Sequence, residues 1–269
     1  MGTIDADTNE THDRMTTTSG GFLTGRWSHI AILNYRAESS LLTPLLPRGV
    51  ELDSWNGQAF VSIVGLSFEH LRVLRMPVPF FHLFQQVNLR FYVRRTSGSD
   101  CRNGVVFIKE FVPHRAMIAV SRLLYNQRYC FARMEHRVET GPPAPELEAA
   151  GCSVGEVPTA VEYCWRHSGR WNRMRVEAAG APEVPRAGSF EEFITRRHWG
   201  YSRRRNASLE FQVDRAEWLV SAGSGSLDCD PARVFGNDFA RLLSDEPGSA
   251  FLSPGSPIAL SLATRWSAH

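Results

Sequence analysis

The segment QQVNLRFYVRR, residues 85–95, decides the fold, because apolar and polar side chains alternate along it. Its apolar members occupy every second position: Val87, Leu89, Phe91 and Val93. The positions between them hold Gln86, Asn88, Arg90 and Tyr92. Successive side chains of a β-strand point to opposite faces, so the segment predicts a strand with one apolar and one polar face. In a closed sheet the polar face lies either in solvent or on the wall of a cavity, and the alternation alone leaves both interpretations open.

Strand-like runs precede and follow this segment. Residues 59–68 are rich in β-branched and aromatic side chains, and they follow Asn56-Gly57, a dipeptide typical of tight hairpins. Residues 104–111 predict a hairpin partner for the central segment. Ser189-Phe190-Glu191-Glu192 matches a helix capping box, whereas no alternation of strands with long helices is found. The predicted fold class is therefore β-rich, all-β or α+β: one antiparallel, barrel-like sheet with a central cavity and a few peripheral helices.

Three stretches do not look like core elements. Residues 1–21 are polar, which predicts a disordered tail before a single domain that spans residues 22–269. Residues 139–158 are rich in Pro, Gly, Ala and Glu and exceed the usual length of a connection, which predicts a flexible insertion. Gly223-Ser224-Gly225 lacks the spacing of a hydrolase nucleophile motif, so it is interpreted as a flexible turn.

Composition and charge exclude several classes of protein. The chain has 269 residues, with 30 Lys plus Arg against 28 Asp plus Glu, so its net charge of +2 argues against a nucleic-acid partner. An apolar leader and a run of 18 apolar residues are both absent from the sequence, which predicts a cytoplasmic protein without membrane contact. The five cysteines form no CxxC pair, and nucleotide-binding loops are not found, so neither a metal nor a cofactor is expected.

Several short motifs resemble those of the bacterial YqjF-like family, which has no known function and is similar to the acetoacetate decarboxylase superfamily. The resemblance begins at Trp27, extends over about residues 27–220, and rests on the motifs as a set: Leu45-Leu46-Pro47, Gly49-Val50-Glu51-Leu52-Asp53, residues 57–62, 86–93, 104–107, 122–125, 129–134 and 189–193. It implies a β-barrel-like fold around a central cavity, in agreement with the alternation described above.

The resemblance also has implications for the chemistry. Decarboxylases of the superfamily use a buried Lys as a Schiff-base nucleophile, which an Arg and acidic residues support. In this chain the supporting Arg is matched by Arg122, and the acids are replaced by Leu123 and Gln86. The position of the nucleophile falls at about Tyr129, which cannot form an imine. Lys109, the only Lys among the 30 basic residues, belongs to the preceding strand and is expected to face outward or to be paired structurally.

The leading hypothesis is therefore a barrel that binds a small, carboxylate-bearing molecule without a Schiff-base lysine, because a guanidinium offers a planar pair of donors to a carboxylate. The predicted ligand-binding residues are Gln86, Asn88, Arg90, Tyr92, Arg122, Tyr125 and Arg133. Tyr129 and Lys109 are the candidate catalytic residues.

Two alternatives remain beside this hypothesis. The first is a lyase, or a decarboxylase-like enzyme, that acts on a keto acid or a related carboxylate through Lys109. The second is a nucleic-acid or protein-binding module that uses the Arg-rich aromatic segments 165–175 and 196–205. Whether the protein catalyses a reaction, and whether it forms a homo-oligomer, is left open by the sequence.

Overall fold

The computed structural model describes residues 21–78, 82–98, 100–141, 157–204 and 207–266. Its strands are β1 (Leu23–Ala37), β2 (Glu51–Leu52), β3 (Ala59–Val73), β4 (Met76–Pro77), β5 (Leu83–Ser97), β6 (Asp100–Val112), β7 (Tyr129–Phe131), β8 (Arg133–Gly141), β9 (Val157–His167), β10 (Arg170–Ala178), β11 (Trp199–Arg204), β12 (Ala207–Arg215), β13 (Ser221–Asp228), β14 (Ser249–Leu260) and β15 (Thr264–Trp266). Its helices are α1 (Ser39–Leu42), α2 (Arg115–Leu124), α3 (Phe190–Thr195), α4 (Pro231–Phe235) and α5 (Asn237–Ser244), with a 3-10 turn at Thr43–Leu45.

Seven of these strands close into a barrel. They follow the order β12-β11-β6-β5-β3-β1-β14, and β14 then pairs back with β12 through Val213 and Leu260. Neighbours in this ring are antiparallel apart from β6 and β11, which run parallel at Gly104 and Trp199. Full closure removes exposed sheet edges and gives the sheet an inside and an outside. The prediction of a β-rich, barrel-like domain with peripheral helices is confirmed.

A second layer packs on the outside of the barrel. The strands β13, β10, β9 and β8 continue from β14, and their apolar side chains share one core with the outward face of the barrel strands. In this core Leu89 of β5 belongs to the same cluster as Trp165 of β9. The two layers lie close together at Gly65, where a Cβ atom would lie 2.3 Å from Cδ2 of Tyr163. The apolar face of β5 is thus buried outside the barrel, and its polar face turns inward.

Helices cover the two ends of the barrel. At one end, the ring of Phe190 of α3 packs at a tilt against that of Phe60 near the start of β3, with ring centroids 4.6 Å apart. At the other end, Met117 of α2 and Leu71 near the end of β3 line a common pocket. Phe60 and Leu71 are 11 residues apart on one strand, a span of about 36 Å, so the two helices lie at opposite ends. No helix in the described part of the chain has the length and apolar character needed to cross a bilayer.

Two predictions about local structure are confirmed, and a third is wrong. Asn56 and Gly57 form a tight turn with φ values of 51° and 78°, and the Ser189 hydroxyl accepts the Glu192 backbone N–H as a capping box requires. The flexible turn at Gly223-Ser224-Gly225 is wrong, because these residues lie within β13. Glycine is required there for close approach rather than for flexibility, since a Cβ on Gly223 would lie 1.9 Å from the Glu177 carbonyl oxygen.

The predicted tail and insertion fall mostly outside the described residues. Of the tail, residues 1–20 are not described, and of the insertion, residues 142–156 are not described. The ends of the insertion are paired strand, with Gly141 of β8 opposite Val157 of β9. The boundaries 139 and 158 were therefore too wide, because the hairpin pairing extends up to residues 141 and 157.

Candidate functional site

The barrel encloses a central cavity with a volume of ≈ 60 Å³. Its wall combines the polar face of β5 with aromatic side chains of the neighbouring strands. Residues on this wall include Gln86, Asn88, Arg90, Phe107, Glu110, Gln127, Tyr129, Arg197 and Arg215. A cavity needs roughly 10–15 Å³ to hold one water molecule, so this space admits a few waters or one small polar group.

Three guanidinium groups converge on this cavity, from three different parts of the chain. Arg90 lies on β5, Arg197 follows α3, and Arg215 ends β12, and each residue is 7% exposed. Arg197 forms an ion pair with Asp53, and its Nε donates to the Phe193 carbonyl oxygen at 2.6 Å. Arg215 donates to the backbone carbonyls of Thr195 and Ala216.

Arg90 differs from the other two. Within the described residues it forms no ion pair and no hydrogen bond, and its guanidinium contacts the Tyr92 ring with 5.8 Å to the centroid. Burial and, to a smaller extent, the positive charge of Arg90 lower the pKa of Arg215 to about 9, although Glu217 opposes the shift. Arg215 is still charged at pH 7, so two guanidiniums without a carboxylate partner face one small cavity. Buried charges are normally paired, and this arrangement favours an external anion.

Polar atoms without partners are concentrated at the same place. Ten buried side-chain N or O atoms of the described residues have no hydrogen-bond partner within the protein, and six of them belong to residues on the cavity wall. These six are Nε1 of Trp27, Oδ1 of Asn88, Nε of Arg90, Oε1 of Glu110, Nε2 of Gln127 and Nε of Arg215. An unpaired buried polar group costs about 1–3 kcal/mol, so these six atoms offer hydrogen bonds to a polar group or to water inside the cavity.

A buried carboxyl group lies on the wall beside the arginines. Oε2 of Glu110 accepts a hydrogen bond from Nε2 of Gln86 at 2.6 Å. The parallel pairing of β7 with β6 sets Tyr129 next to Glu110, and the same Gln86 nitrogen lies 3.5 Å from the Tyr129 hydroxyl. Burial raises the pKa of Glu110 to about 8, although hydrogen bonds from Tyr129 and Gln86 oppose the shift. Burial, together with the nearby Glu110, also raises the pKa of Tyr129 well above its usual value.

A β-bulge determines which residues of β6 face the cavity. Leu89 pairs with Lys109 and Arg90 pairs with Phe107, so Ile108 is an extra residue in β6. The bulge reverses the alternation after Phe107, which places Glu110 on the cavity wall and turns Lys109 away from it. Nζ of Lys109 donates to the Val234 carbonyl oxygen at 2.5 Å and lies 5.3 Å from the centroid of the Phe111 ring.

The structure brings some of the predicted site residues together and separates others. Gln86, Asn88, Arg90 and Tyr129 line the central cavity. The ring of Tyr92 contacts the Arg90 guanidinium, and its hydroxyl lies 2.5 Å from the Ser62 hydroxyl. The remaining predicted residues are elsewhere: Tyr125 donates to the Ser261 carbonyl, Arg122 and Arg133 are exposed, and Lys109 is turned away as described.

Sequence analysis did not identify Glu110, Arg197 and Arg215 as site residues. The bulge in β6 changes the face on which Glu110 lies, so the sequence pattern did not assign it to the cavity. Arg197 and Arg215 come from distant segments that only the closed barrel brings together. The segment 165–175, considered as a nucleic-acid module, carries arginines that are paired with acids. Arg173 lies near Glu162 and Asp228, and Arg175 lies near Glu139 and Glu177.

Solved structures with the same architecture define the class of fold. The enduracididine biosynthesis enzyme MppR with HEPES buffer bound has a TM-score of 0.63 and 14% identity, covering 94% of this chain and 91% of that chain. MppR has also been solved in complex with pyruvate. Acetoacetate decarboxylase from Legionella pneumophila has a TM-score of 0.63 and 12% identity, covering 92% of this chain and 88% of that chain. The protein is therefore a β-rich member of the acetoacetate decarboxylase-like fold.

The family follows from the sequence match. The model of DUF2071, described as an uncharacterized conserved protein, matches residues 24–257, so the chain belongs to this family. The uncharacterized protein YqjF of Bacillus subtilis (strain 168) is 29% identical over 195 residues, which are 72% of this chain and 73% of YqjF. The predicted resemblance to the YqjF-like family is confirmed.

Proposed function

We propose that the protein binds a small organic acid inside the barrel, with the carboxylate group on Arg90 and Arg215. The observation that carries this proposal is the charge imbalance of the cavity wall. Three guanidiniums face the cavity, Asp53 neutralises one of them, and Glu110 is largely protonated at pH 7 because its pKa is raised to about 8. A bound carboxylate would neutralise the excess and accept hydrogen bonds from unpaired guanidinium N–H groups.

Two further features support a carboxylate rather than a larger anion. The cavity volume of ≈ 60 Å³ leaves room for a small charged head group. The protonated Glu110 can donate a hydrogen bond, and Nε2 of Gln127 is a second donor without a partner. The likeness to MppR, which has been solved with pyruvate, is consistent with a small organic acid as the ligand.

Isothermal titration with acetate and pyruvate tests the proposal. We expect binding of at least one of these acids at pH 7, and a loss of about 100-fold or more in Arg90→Gln, because a hydrogen-bonded buried charge pair contributes about 2–5 kcal/mol. Arg94→Gln is the matched control, since Arg94 lies on the same strand, is half-exposed and pairs with Glu51 at 3.3 Å. Equal affinities of Arg90→Gln and the wild-type protein would exclude Arg90 as the anchor.

A proton transfer on the bound acid is the second candidate function, and the Glu110–Tyr129 pair favours it. Ionised Glu110 would take a proton from the carbon next to a carbonyl group; the C–H electron pair would form the C=C bond of an enolate, and the carbonyl oxygen would take the negative charge. The measurement is the exchange of the methyl protons of pyruvate in D2O, followed by NMR. Exchange that Glu110→Gln abolishes would support this candidate, and a rate no faster than without protein would exclude it.

The Schiff-base alternative has a separate test. A nucleophilic lysine must reach the ligand, whereas Lys109 donates to a backbone carbonyl on the other side of β6 from Glu110. We therefore expect that borohydride treatment with pyruvate or acetoacetate traps no adduct. A covalent adduct at Lys109 would instead support the lyase hypothesis.

A further inference from the structure

The end of the barrel beneath α2 contains a second cavity, the outer pocket, with a volume of ≈ 200 Å³. Most of its wall is apolar, and it includes Phe68, Leu71, Met117, Phe211 and Leu260. Two of its polar residues have partners inside the protein, since the Ser121 hydroxyl donates to the Ile118 carbonyl and the Tyr125 hydroxyl donates to the Ser261 carbonyl. The outer pocket therefore offers apolar surface and few free polar groups.

The outer pocket adjoins the central cavity directly. Five residues line both spaces: Phe68, Gln127, Tyr129, Phe211 and Leu260. These five residues therefore form the common wall of the two cavities. A single molecule that enters from the α2 end would pass the apolar wall first and meet the guanidiniums at depth.

The surface around this end is also apolar. Large hydrophobic side chains there are exposed, with Leu74 at 63%, Met76 at 67% and Leu83 at 52%. They lie where β3, β4 and β5 end or begin, on the same end of the barrel as Leu71. Exposed apolar residues beside an apolar pocket mark a route for apolar ligands rather than for strongly hydrated ones.

We infer that the ligand is an amphiphilic carboxylic acid, with its carboxylate in the central cavity and an apolar chain or ring in the outer pocket. The inference rests on the proposed function for the position of the carboxylate and adds the class of substituent. It accounts for an apolar pocket of ≈ 200 Å³ that shares five wall residues with the cavity of ≈ 60 Å³ that the guanidiniums face. Acetate would fill the central cavity alone, whereas octanoate would occupy both.

A chain-length series tests the inference by isothermal titration at pH 7, with acetate, butanoate, hexanoate and octanoate as probes. Each buried methylene group is expected to tighten binding about fourfold until the outer pocket is filled. We expect octanoate to bind about 100-fold or more tightly than acetate. Octanedioate is the control of equal length with a second charge, and we expect it to bind more weakly than octanoate because its distal carboxylate would lie in the apolar pocket.

Variants on α2 test where the alkyl chain of octanoate binds. Met117 lines the outer pocket, and Met117→Gln is expected to weaken octanoate binding at least fivefold while acetate binding stays the same. Leu123 lies on the same helix, is 79% exposed, and serves as the matched control, so Leu123→Gln is expected to change neither affinity. A fall of at least fivefold in the ratio of octanoate to acetate affinity in Met117→Gln would assign part of the methylene gain to this pocket, and an unchanged ratio would contradict that position of the alkyl chain.

The outcomes separate this inference from the proposed function. If acetate and octanoate bind with equal affinity, and both depend on Arg90, the proposed function stands and the amphiphilic ligand is wrong. Octanedioate that binds more tightly than octanoate would also overturn the inference, and would direct attention to the exposed depression lined by Arg122, Arg128 and Arg203. If octanoate binds independently of Arg90, both proposals are wrong, and the same holds if none of the acids binds.

Discussion

Replacing Arg90 with Met should stabilise the protein and abolish the binding of carboxylates. Arg90 is buried, and within the described residues it has neither an ion pair nor a hydrogen bond. Its charge therefore destabilises the fold when no ligand is bound, whereas a bound anion would form an ion pair with it. Met preserves much of the aliphatic stem and removes the charge, so the variant separates stability from binding.

The expected gain in the free energy of unfolding follows from the effect of Arg90 on Arg215. Its pKa falls from 12.5 to about 9, a change of about 4.8 kcal/mol at 1.36 kcal/mol per pKa unit. Burial is the largest cause of this change, repulsion by Arg90 is the second, and Glu217 opposes both. Adding relief from the burial of the Arg90 charge, and subtracting its contact with Tyr92, we expect Arg90→Met to raise the free energy of unfolding by about 1–3 kcal/mol.

Urea unfolding of ligand-free protein at pH 7 measures this change, and thermal unfolding should show a rise in Tm of about 2–4 °C for each kcal/mol. Arg94→Met is the control, because its half-exposed pair with Glu51 should change stability by less than about 0.5 kcal/mol. A loss of more than about 1 kcal/mol in Arg90→Met, with Arg94→Met unchanged, would mean that Arg90 stabilises the fold. That result would refute the argument from an unbalanced charge.

Three further predictions concern other residues. Because the pKa of Glu110 is raised to about 8, the folded state keeps a proton that the unfolded state loses above about pH 4. The contribution of Glu110 to the free energy of unfolding is therefore full below about pH 4 and falls by about 1.4 kcal/mol per pH unit until about pH 8. Glu110→Gln should therefore gain stability relative to wild type between pH 5 and 8 in urea titrations, and a difference that does not change with pH would contradict the raised pKa. Lys109→Met should lose about 1 kcal/mol of stability through the hydrogen bond to Val234, and should bind acetate and octanoate with wild-type affinity in calorimetry; a loss of binding would place Lys109 at the site. Because Gly141 pairs with Val157, replacing residues 142–156 with Asn-Gly should change the urea midpoint little, and insoluble protein would show that the segment is needed for folding.

The alternation in residues 85–95 was enough to predict a strand with one apolar and one polar face, but it left open which face turns inward. Alternation determines which side chains of β5 share a face. Packing against the second layer explains why the apolar face turns outward. Asn56-Gly57 and the capping box at Ser189 were predictable because they depend on local backbone geometry. These features require no knowledge of distant contacts.

The rest of the site depends on features that residue patterns do not encode. An extra residue at Ile108 exchanges the faces of Lys109 and Glu110, and the residue pattern of β6 did not predict this bulge. Arg197 and Arg215 reach the cavity through the pairings of β11 and β12, which are long-range contacts. Arg122 and Tyr125 were selected through their motif, and α2 places them outside the central cavity.

The most direct measurement is a crystal structure of the protein with bound octanoate. The account predicts the carboxylate inside the barrel, with at least one oxygen about 2.7–2.9 Å from a guanidinium nitrogen of Arg90, and the alkyl chain against Met117 and Leu71. A carboxylate that lies in solvent, or at Arg122 on the surface, would contradict it.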